Sequence, residues 1–443
     1  MLESLAQVAT APSALAESVS LRRNFAWTSA GNVLYAACQW GILVAIAKLG
    51  TPTMLGQFAL GLAVSTPVFM LTNLQLRVVL ATDARHEYHL GHYLALRILG
   101  TAAALILVLG FVSIARFRRE TAIVVLLVSL AKAAESLSDI IYGFWQKHEH
   151  FDKIAIALTG RGVGSLAAMA AVLFLTRNIA LATAAMALVW ALWLASFERS
   201  VAKSSLAAVS SEERLRPEWD IEKSGHLVVL AAPLGIVMLL LSLNANIPRY
   251  FVQHYLGESF LGYFAAMAYV FVAGNTVMAA MGQSATSRLA RYFNSDRRAF
   301  ARLLKNMVSL GTGLGIAGTG LALFFGTPLL KLLYGPDYAE YTSLFVWLMI
   351  AAAFAYVASM LGYGMTAARM YRAQAALFLV ATAITTIACW ILVPSLGLMG
   401  SAYAVLVGAV LSCLGSAYIV SPCALAFPAL KHELDSPEGG HLH

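Results

Sequence analysis

The sequence predicts an all-α polytopic membrane protein of about 12 transmembrane helices, arranged as two six-helix bundles. Three observations predict it. Sixty per cent of the 443 residues are hydrophobic and 12% are charged, against about 25% charged in a typical soluble domain. No charge stands between Glu340 and Arg369, and none between Arg372 and Lys431. A spanning helix needs about 20 mostly apolar residues, so the second run holds two spans, divided at Pro394-Ser395. Finally, a short motif recurs at the same place in each half.

Hydropathy sets the spans at 25–47, 55–76, 93–115, 121–145, 154–176 and 179–198, then 225–247, 258–286, 303–325, 341–366, 373–393 and 397–420. With both termini inside, 20 of the 30 basic residues fall on inner segments and 7 on outer ones. That bias assigns the termini to the cytoplasm, although the outer cluster Arg116–Arg119 runs against it. Arg97, Lys132 and Arg161 remain within spans. The net charge of +8 is therefore a topology signal and does not imply a nucleic-acid partner. The first 20 residues lack a basic n-region and a long apolar h-region, so no cleavable signal peptide is expected.

The domain plan follows. Residues 1–24 form a cytoplasmic segment, 25–198 the first bundle, 199–224 a cytoplasmic linker, 225–420 the second bundle and 421–443 a cytoplasmic tail. The linker carries Glu212-Glu213-Arg214 and Pro217. The tail is polar, and its scattered histidines argue against a metal site. The four cysteines lack metal-ligand spacing and read as small apolar residues. The repeat pairs Leu49-Gly50 and Leu55-Gly56-Gln57-Phe58-Ala59 with Leu256-Gly257 and Leu261-Gly262-Tyr263-Phe264-Ala265. Six spans separate the copies, so the halves share an orientation. Parallel repeats of this kind imply a pseudo-two-fold axis along the membrane normal.

The fourth span carries Lys132, Glu135 and Asp139, within about 60° of one another on one helical face. Ser136, Gly143 and Gln146 lie near the same stripe. Ionisable groups at the bilayer centre cost about 2.5–3.5 kcal/mol each on insertion scales, so these must face protein or water. One reading is a structural Lys132–Glu135 pair; the other is the wall of a hydrophilic cavity with a substrate or coupling-ion site. Asp139 stands about 9 Å above the inner end of its span and Arg161 roughly 10 Å above the same face, at 1.5 Å per residue. Arg97 shares that layer. An Asp139–Arg161 pair is expected, either as a gate or as a structural tie.

Asn244, Asn246, Pro248 and Arg249 are expected to close the seventh span. Arg249 offers a fork suited to phosphate, or is an interfacial arginine facing water. Gln39, Asn73, Gln75, Asn275 and Gln283 should bond to neighbouring helices. Gly311 and Gly315 in the ninth span form a small-xxx-small packing face. Tyr334-Gly335-Pro336-Asp337-Tyr338 reads as a turn with interfacial tyrosines. The segment from Arg288 to Lys305 reads as a basic amphipathic loop on the anionic inner leaflet.

There is no Walker A loop, and no HExxH, GxSxG or DxD pair on an aqueous loop. Direct ATP coupling and catalysis are not expected, nor is a cofactor or bound metal.

Four stretches resemble the Wzx-type polysaccharide flippases of the multidrug/oligosaccharidyl-lipid/polysaccharide exporter superfamily. They are Lys132-Ala-Ala-Glu135-Ser-Leu-Ser-Asp139 continuing to Tyr142-Gly143-Phe-Trp-Gln146-Lys147; Arg161-Gly162; Asn246-Ile-Pro248-Arg249-Tyr250 with the following Leu-Gly pairs; and Pro394-Ser395-Leu396-Gly397 through Tyr403. The likeness runs over residues 21–420. It implies a multi-pass protein of the bacterial inner membrane that moves undecaprenyl-diphosphate-linked oligosaccharide to the outer leaflet, beside polysaccharide polymerase and export machinery. It implies diphosphate or glycan contact for Arg97, Lys132, Arg161 and Arg249. Glu135 and Asp139 would then bind a coupling proton or sodium ion. The competing readings are a cation-coupled multidrug antiporter of the same superfamily, a membrane polymerase or ligase of lipid-linked glycans, and a scaffold without transport.

Overall fold

In the computed structural model, residues 14–83, 87–209 and 215–425 are described. The segments expected as Glu212-Glu213-Arg214 and as the polar tail lie outside them. The described residues contain twelve helices long and apolar enough to span a bilayer. These are Ala26–Leu49, Pro52–Thr82, Leu90–Ala115, Arg119–Lys147, Phe151–Thr176 and Ile179–Ala207, followed by Ile221–Leu256, Glu258–Ser295, Arg297–Leu333, Thr342–Ala367, Tyr371–Leu396 and Leu398–Ser421. They are numbered as spans one to twelve. In lipid only helices or closed barrels satisfy every backbone group internally, which is why apolar runs of this length form helices.

The chain divides into two compact units. One comprises Met1–Ala266 with Leu333–Gly335, the other Met267–Leu332 with Pro336–His443. In the first unit, span five lies along span one, span two against span four, and span seven against span two. Small residues permit the closest crossings. A Cβ on Gly31 would sit 2.7 Å from the Ala155 Cα, and one on Gly162 would meet Tyr35 and Cys38 at 3.2 Å.

The repeated motif has a structural counterpart. Spans two and eight cross at Gly56 and Gly262. A Cβ on Gly56 would overlap the Glu258 carbonyl, and one on Gly262 would overlap the Pro52 carbonyl. Each glycine thus faces the residue four positions before the other. The two repeats pack on each other through equivalent atoms, as a local two-fold relation requires.

In the second unit, the ninth-span glycines are packing positions, as expected. Gly311 meets Tyr356 and Met360, and a Cβ on Gly315 would come within 2.6 Å of Ala353. Gly274 and Gly282 make notches for Tyr356 and Tyr363, whose hydroxyls donate to Phe271 O and Ala279 O at 3.0 and 3.3 Å.

Four expectations need correction. Pro248 does not close the seventh span. The helix runs on to Leu256 and ends at Gly257, with φ +91°. A proline removes one N–H and strains one turn, but in an apolar setting the remaining bonds keep the helix going. The basic segment after span eight is not a surface loop. Span eight reaches Ser295 and span nine starts at Arg297, with Asp296 Oδ1 accepting from the Arg298 and Ala299 amides. Leu289 and Phe300 are buried rather than spread on a leaflet. Tyr334 and Tyr338 are buried too, and the Tyr334 hydroxyl accepts from Trp40 Nε1 at 2.9 Å. Part of the linker is helical, since span six continues to Ala207. Asp220 caps span seven, and the Lys223 amide bonded to it holds its carboxyl below the usual carboxylate range.

Candidate functional site

The polar cluster is built by spans one to six. Span four supplies its spine. Lys132 Nζ lies 2.6 Å from Glu135 Oε2, so the expected pair on one helical face is present. Glu135 Oε1 accepts from the Tyr35 hydroxyl at 3.2 Å and lies 3.6 Å from Arg161 Nη2. One turn further along, Asp139 Oδ2 is 3.1 Å from Arg97 Nη2, and its Oδ1 is 3.4 Å from Arg77 Nη1.

The expected Asp139–Arg161 pair is therefore not formed. Arg161 meets Glu135, and Asp139 takes Arg97 and Arg77. The reason is lateral packing. Span five lies chiefly against spans one and six rather than beside span four. Gly162 lets the Tyr35 ring in next to Arg161, and Tyr35 brings the guanidinium to the level of Glu135.

Arg161 is 2% exposed and sits in an aromatic box. Its guanidinium carbon lies 5.2 Å from the Tyr35 ring centre, 5.6 Å from Tyr142 and 4.9 Å from Trp190. Cations over aromatic faces gain about 0.5–2 kcal/mol each, which offsets part of the desolvation. Tyr142 in turn donates to Glu198 Oε1 at 2.6 Å. Glu198 is fully buried and lies in a π-helical turn, Leu194–Glu198, within span six. Such turns widen a helix locally and recur at functional sites.

Two of these residues were not legible as site residues. Arg77 reads as an inner flank of span two. In the structure, span two breaks at Asn73–Gln75, where Leu74 and Gln75 have φ of 51° and 53°. Left-handed backbone at non-glycine residues is uncommon and re-aims the following turn. Arg77 then reaches Asp139, and its Nε donates to Gln146 Oε1 at 3.1 Å. Asn73 accepts from Ser136 at 2.6 Å, the bond to a neighbouring helix expected of that amide. Glu198 looks like the end of an apolar run, and only the wound continuation of span six draws it inside.

The site thus holds Arg77, Arg97, Lys132 and Arg161 against Glu135, Asp139 and Glu198. Arg97 and Arg161 each keep Nε and Nη1 buried without a protein acceptor. Buried donors are nearly always satisfied, and exceptions call for a functional account. Beside Arg77 and Gln146 lies a cavity of about 150 Å³, which Thr28 and Asn32 also line. That is room for a few waters at about 30 Å³ each, not for a sugar diphosphate. Arg249 donates from Nη1 to Asn246 Oδ1 at 2.6 Å, one turn back on its own span. The contacts that join the other five candidates do not involve it.

A second polar knot sits beside the Gly56–Gly262 crossing. Glu258, at the start of span eight, accepts from Gln57 Nε2 at 3.0 Å and from the Thr121 hydroxyl. It ties spans two and four to span eight. Gln57 occurs in the repeat, but nothing in the sequence marked Glu258 as its partner.

A family profile described as polysaccharide biosynthesis protein matches residues 45–343, more than half of the chain. The chain belongs to that family. The capsular polysaccharide biosynthesis protein CapF of Staphylococcus aureus is 27% identical over 381 residues, covering 86% of this chain and 94% of CapF. Among solved structures, the lipid II flippase MurJ in an inward closed conformation aligns with a TM-score of 0.61 at 15% identity, over 91% of this chain and 87% of MurJ. A point mutant of the Vibrio cholerae MATE transporter VcmN aligns at 0.57 and 13%, over 91% and 98%. A Pyrococcus furiosus transporter of the MOP superfamily aligns at 0.60 and 12%, over 91% and 96%. The polysaccharide family member therefore has the multi-pass fold of that superfamily, as the twelve spans and the four resembling stretches together led one to expect.

Proposed function

We infer that this family member is a flippase. It moves undecaprenyl-diphosphate-linked oligosaccharide from the inner to the outer leaflet of a bacterial inner membrane, with both termini in the cytoplasm. Its two six-span halves alternate access to the two faces. The observation that carries the reading is the pair of buried arginines, Arg97 and Arg161, each with two unfilled guanidinium nitrogens beside a carboxylate. A diphosphate and its sugars cannot cross hydrocarbon unaided, whereas the polyprenyl tail can stay in lipid. A polar path through the protein needs cationic donors that accept the diphosphate and then release it.

Glu135 and Asp139 are the natural coupling groups. Each holds two cations, so a proton or sodium ion arriving at either carboxylate would loosen Arg161 and Lys132, or Arg97 and Arg77. Released guanidinium groups are then available to the diphosphate. Arg249 would contact the headgroup from span seven.

The antiporter reading draws on the MATE likeness and on the aromatic box. That box already contains a cation, Arg161, with Glu135 beside it. A cationic drug would find its place filled, which favours an anionic substrate.

The test uses cells that lack the protein. Complete lipid-linked repeat units should accumulate on the inner leaflet while surface polysaccharide disappears, and restoring the gene should reverse both. Finished units that reach the outer leaflet and stay unpolymerised would move the assignment to a polymerase. No change in either pool would remove glycolipid export and direct attention to drug efflux.

A further inference from the structure

His89, His92 and Glu218 converge away from the arginine cluster, at the start of span three and just before span seven. One donor atom from each lies within 4.8 Å of the other two. Glu218 Oε2 is 3.4 Å from His89 Nδ1 and 3.5 Å from His92 Nε2. The two rings are 5.6 Å apart between centres.

The backbone is built to bring the carboxylate in. The Glu218 amide donates to Gly91 O at 3.0 Å. A Cβ on Gly91 would stand 2.6–2.7 Å from the Glu218 side chain. With glycine between the two histidines, Glu218 keeps this position; a side chain there would push its carboxylate aside. His92 is 4% exposed and its position is set by the surrounding core, whereas His89 and Glu218 reach water.

Charge-assisted hydrogen bonds to a carboxylate run about 2.7–2.9 Å, and both contacts are longer. They match the ligand-to-ligand edge of a tetrahedral zinc ion, about 3.4 Å for bonds of about 2.0–2.1 Å. His89 stands at the N-cap position of the helix and His92 in its first turn. Two imidazoles and a carboxylate are a borderline donor set, suited to zinc and its neighbours.

We propose that His89, His92 and Glu218 bind a divalent transition metal ion, with zinc the best match, and a water completing the tetrahedron. Ligands of an ion bound there come from the start of span three and from the 199–224 connection itself, just ahead of span seven. The ion pins that segment to the first half of the chain.

The test uses the full-length protein in detergent, with any purification tag removed and His432, His441 and His443 replaced by alanine. After chelation and dialysis, zinc per chain is counted, and cobalt(II) is added as a spectroscopic probe. One zinc per chain and the intense visible bands of tetrahedral cobalt are expected. His92→Ala, His89→Ala and Glu218→Gln should each weaken binding about tenfold or more, and His254→Ala should not. Zinc should raise the unfolding temperature of the parent and not of the Glu218→Gln protein. If His92→Ala fails to fold, the two exposed ligands decide the matter. Less than one zinc per chain, or unchanged affinity in His89→Ala and Glu218→Gln, would overturn the proposal. The polysaccharide reading does not depend on either result.

Discussion

Gly56 and Gly262 face each other across the crossing of spans two and eight, each seated against the backbone of the other's helix. A side chain on either would overlap a carbonyl, and the nearest amide nitrogen of the opposite glycine would stand at 3.1 Å. The contact is reciprocal, and it falls on the Leu-Gly motif that recurs in the two halves. A backbone-to-backbone approach this close also permits Cα–H···O contacts.

Gly56→Ala and Gly262→Ala should each destabilise the protein by about 1–3 kcal/mol through overpacking. Thermal unfolding in detergent checks this. The double variant should lose less than the sum of the two, because one contact serves both. Full additivity would mean that the helices do not meet there.

Glu258→Ala should loosen the same crossing by removing the acceptor of Gln57 and Thr121. Glu258→Gln keeps an oxygen acceptor and should retain more of the contact. Deuterium labelling of the backbone amides around Gly56 and Gly262 reads the opening. Equal labelling in the parent and in Glu258→Ala would dismiss the tie.

The revised pairing in the polar cluster has its own test. Glu135→Ala and Arg161→Ala should be coupled by about 1–3 kcal/mol in a double-mutant cycle, because they share a contact. Asp139→Ala with Arg161→Ala should come out nearer to additive, and Asp139→Ala with Arg97→Ala coupled. The reverse ranking would restore the Asp139–Arg161 pair.

Transport should follow the same residues. Asp139→Asn and Arg161→Ala proteins that insert normally should lose most surface polysaccharide. Arg161→Lys should not rescue, since an ammonium lacks the planar face that meets Tyr35, Tyr142 and Trp190. Normal polymer in all three would take both residues out of the mechanism.

Much of the fold was legible because span formation is a local property. Twenty apolar residues in a row have few alternatives in lipid, so the number of spans and their approximate positions follow from composition. Ends were less legible. Pro248 looked like a stop, and span two looked finished at Leu76, because neither a tolerated proline nor a left-handed break at Leu74-Gln75 has a clear sequence mark.

The candidate site divides in the same way. Lys132, Glu135 and Asp139 were found because helical phase puts them on one face, and Arg97 and Arg161 because a charge inside a span is rare. By itself, then, the sequence determined a twelve-span helical protein with a charged stripe in span four and a repeated Leu-Gly motif. Only the tertiary structure decided that Arg161 meets Glu135, that Arg77 and Glu198 join the cluster, and that Gln57 finds Glu258. The physical reason is that helical phase and depth are set along one chain segment, whereas partners are set by which helices lie side by side. Spans four and five are consecutive in sequence, yet span five packs along span one, and that lateral choice has no periodic signature.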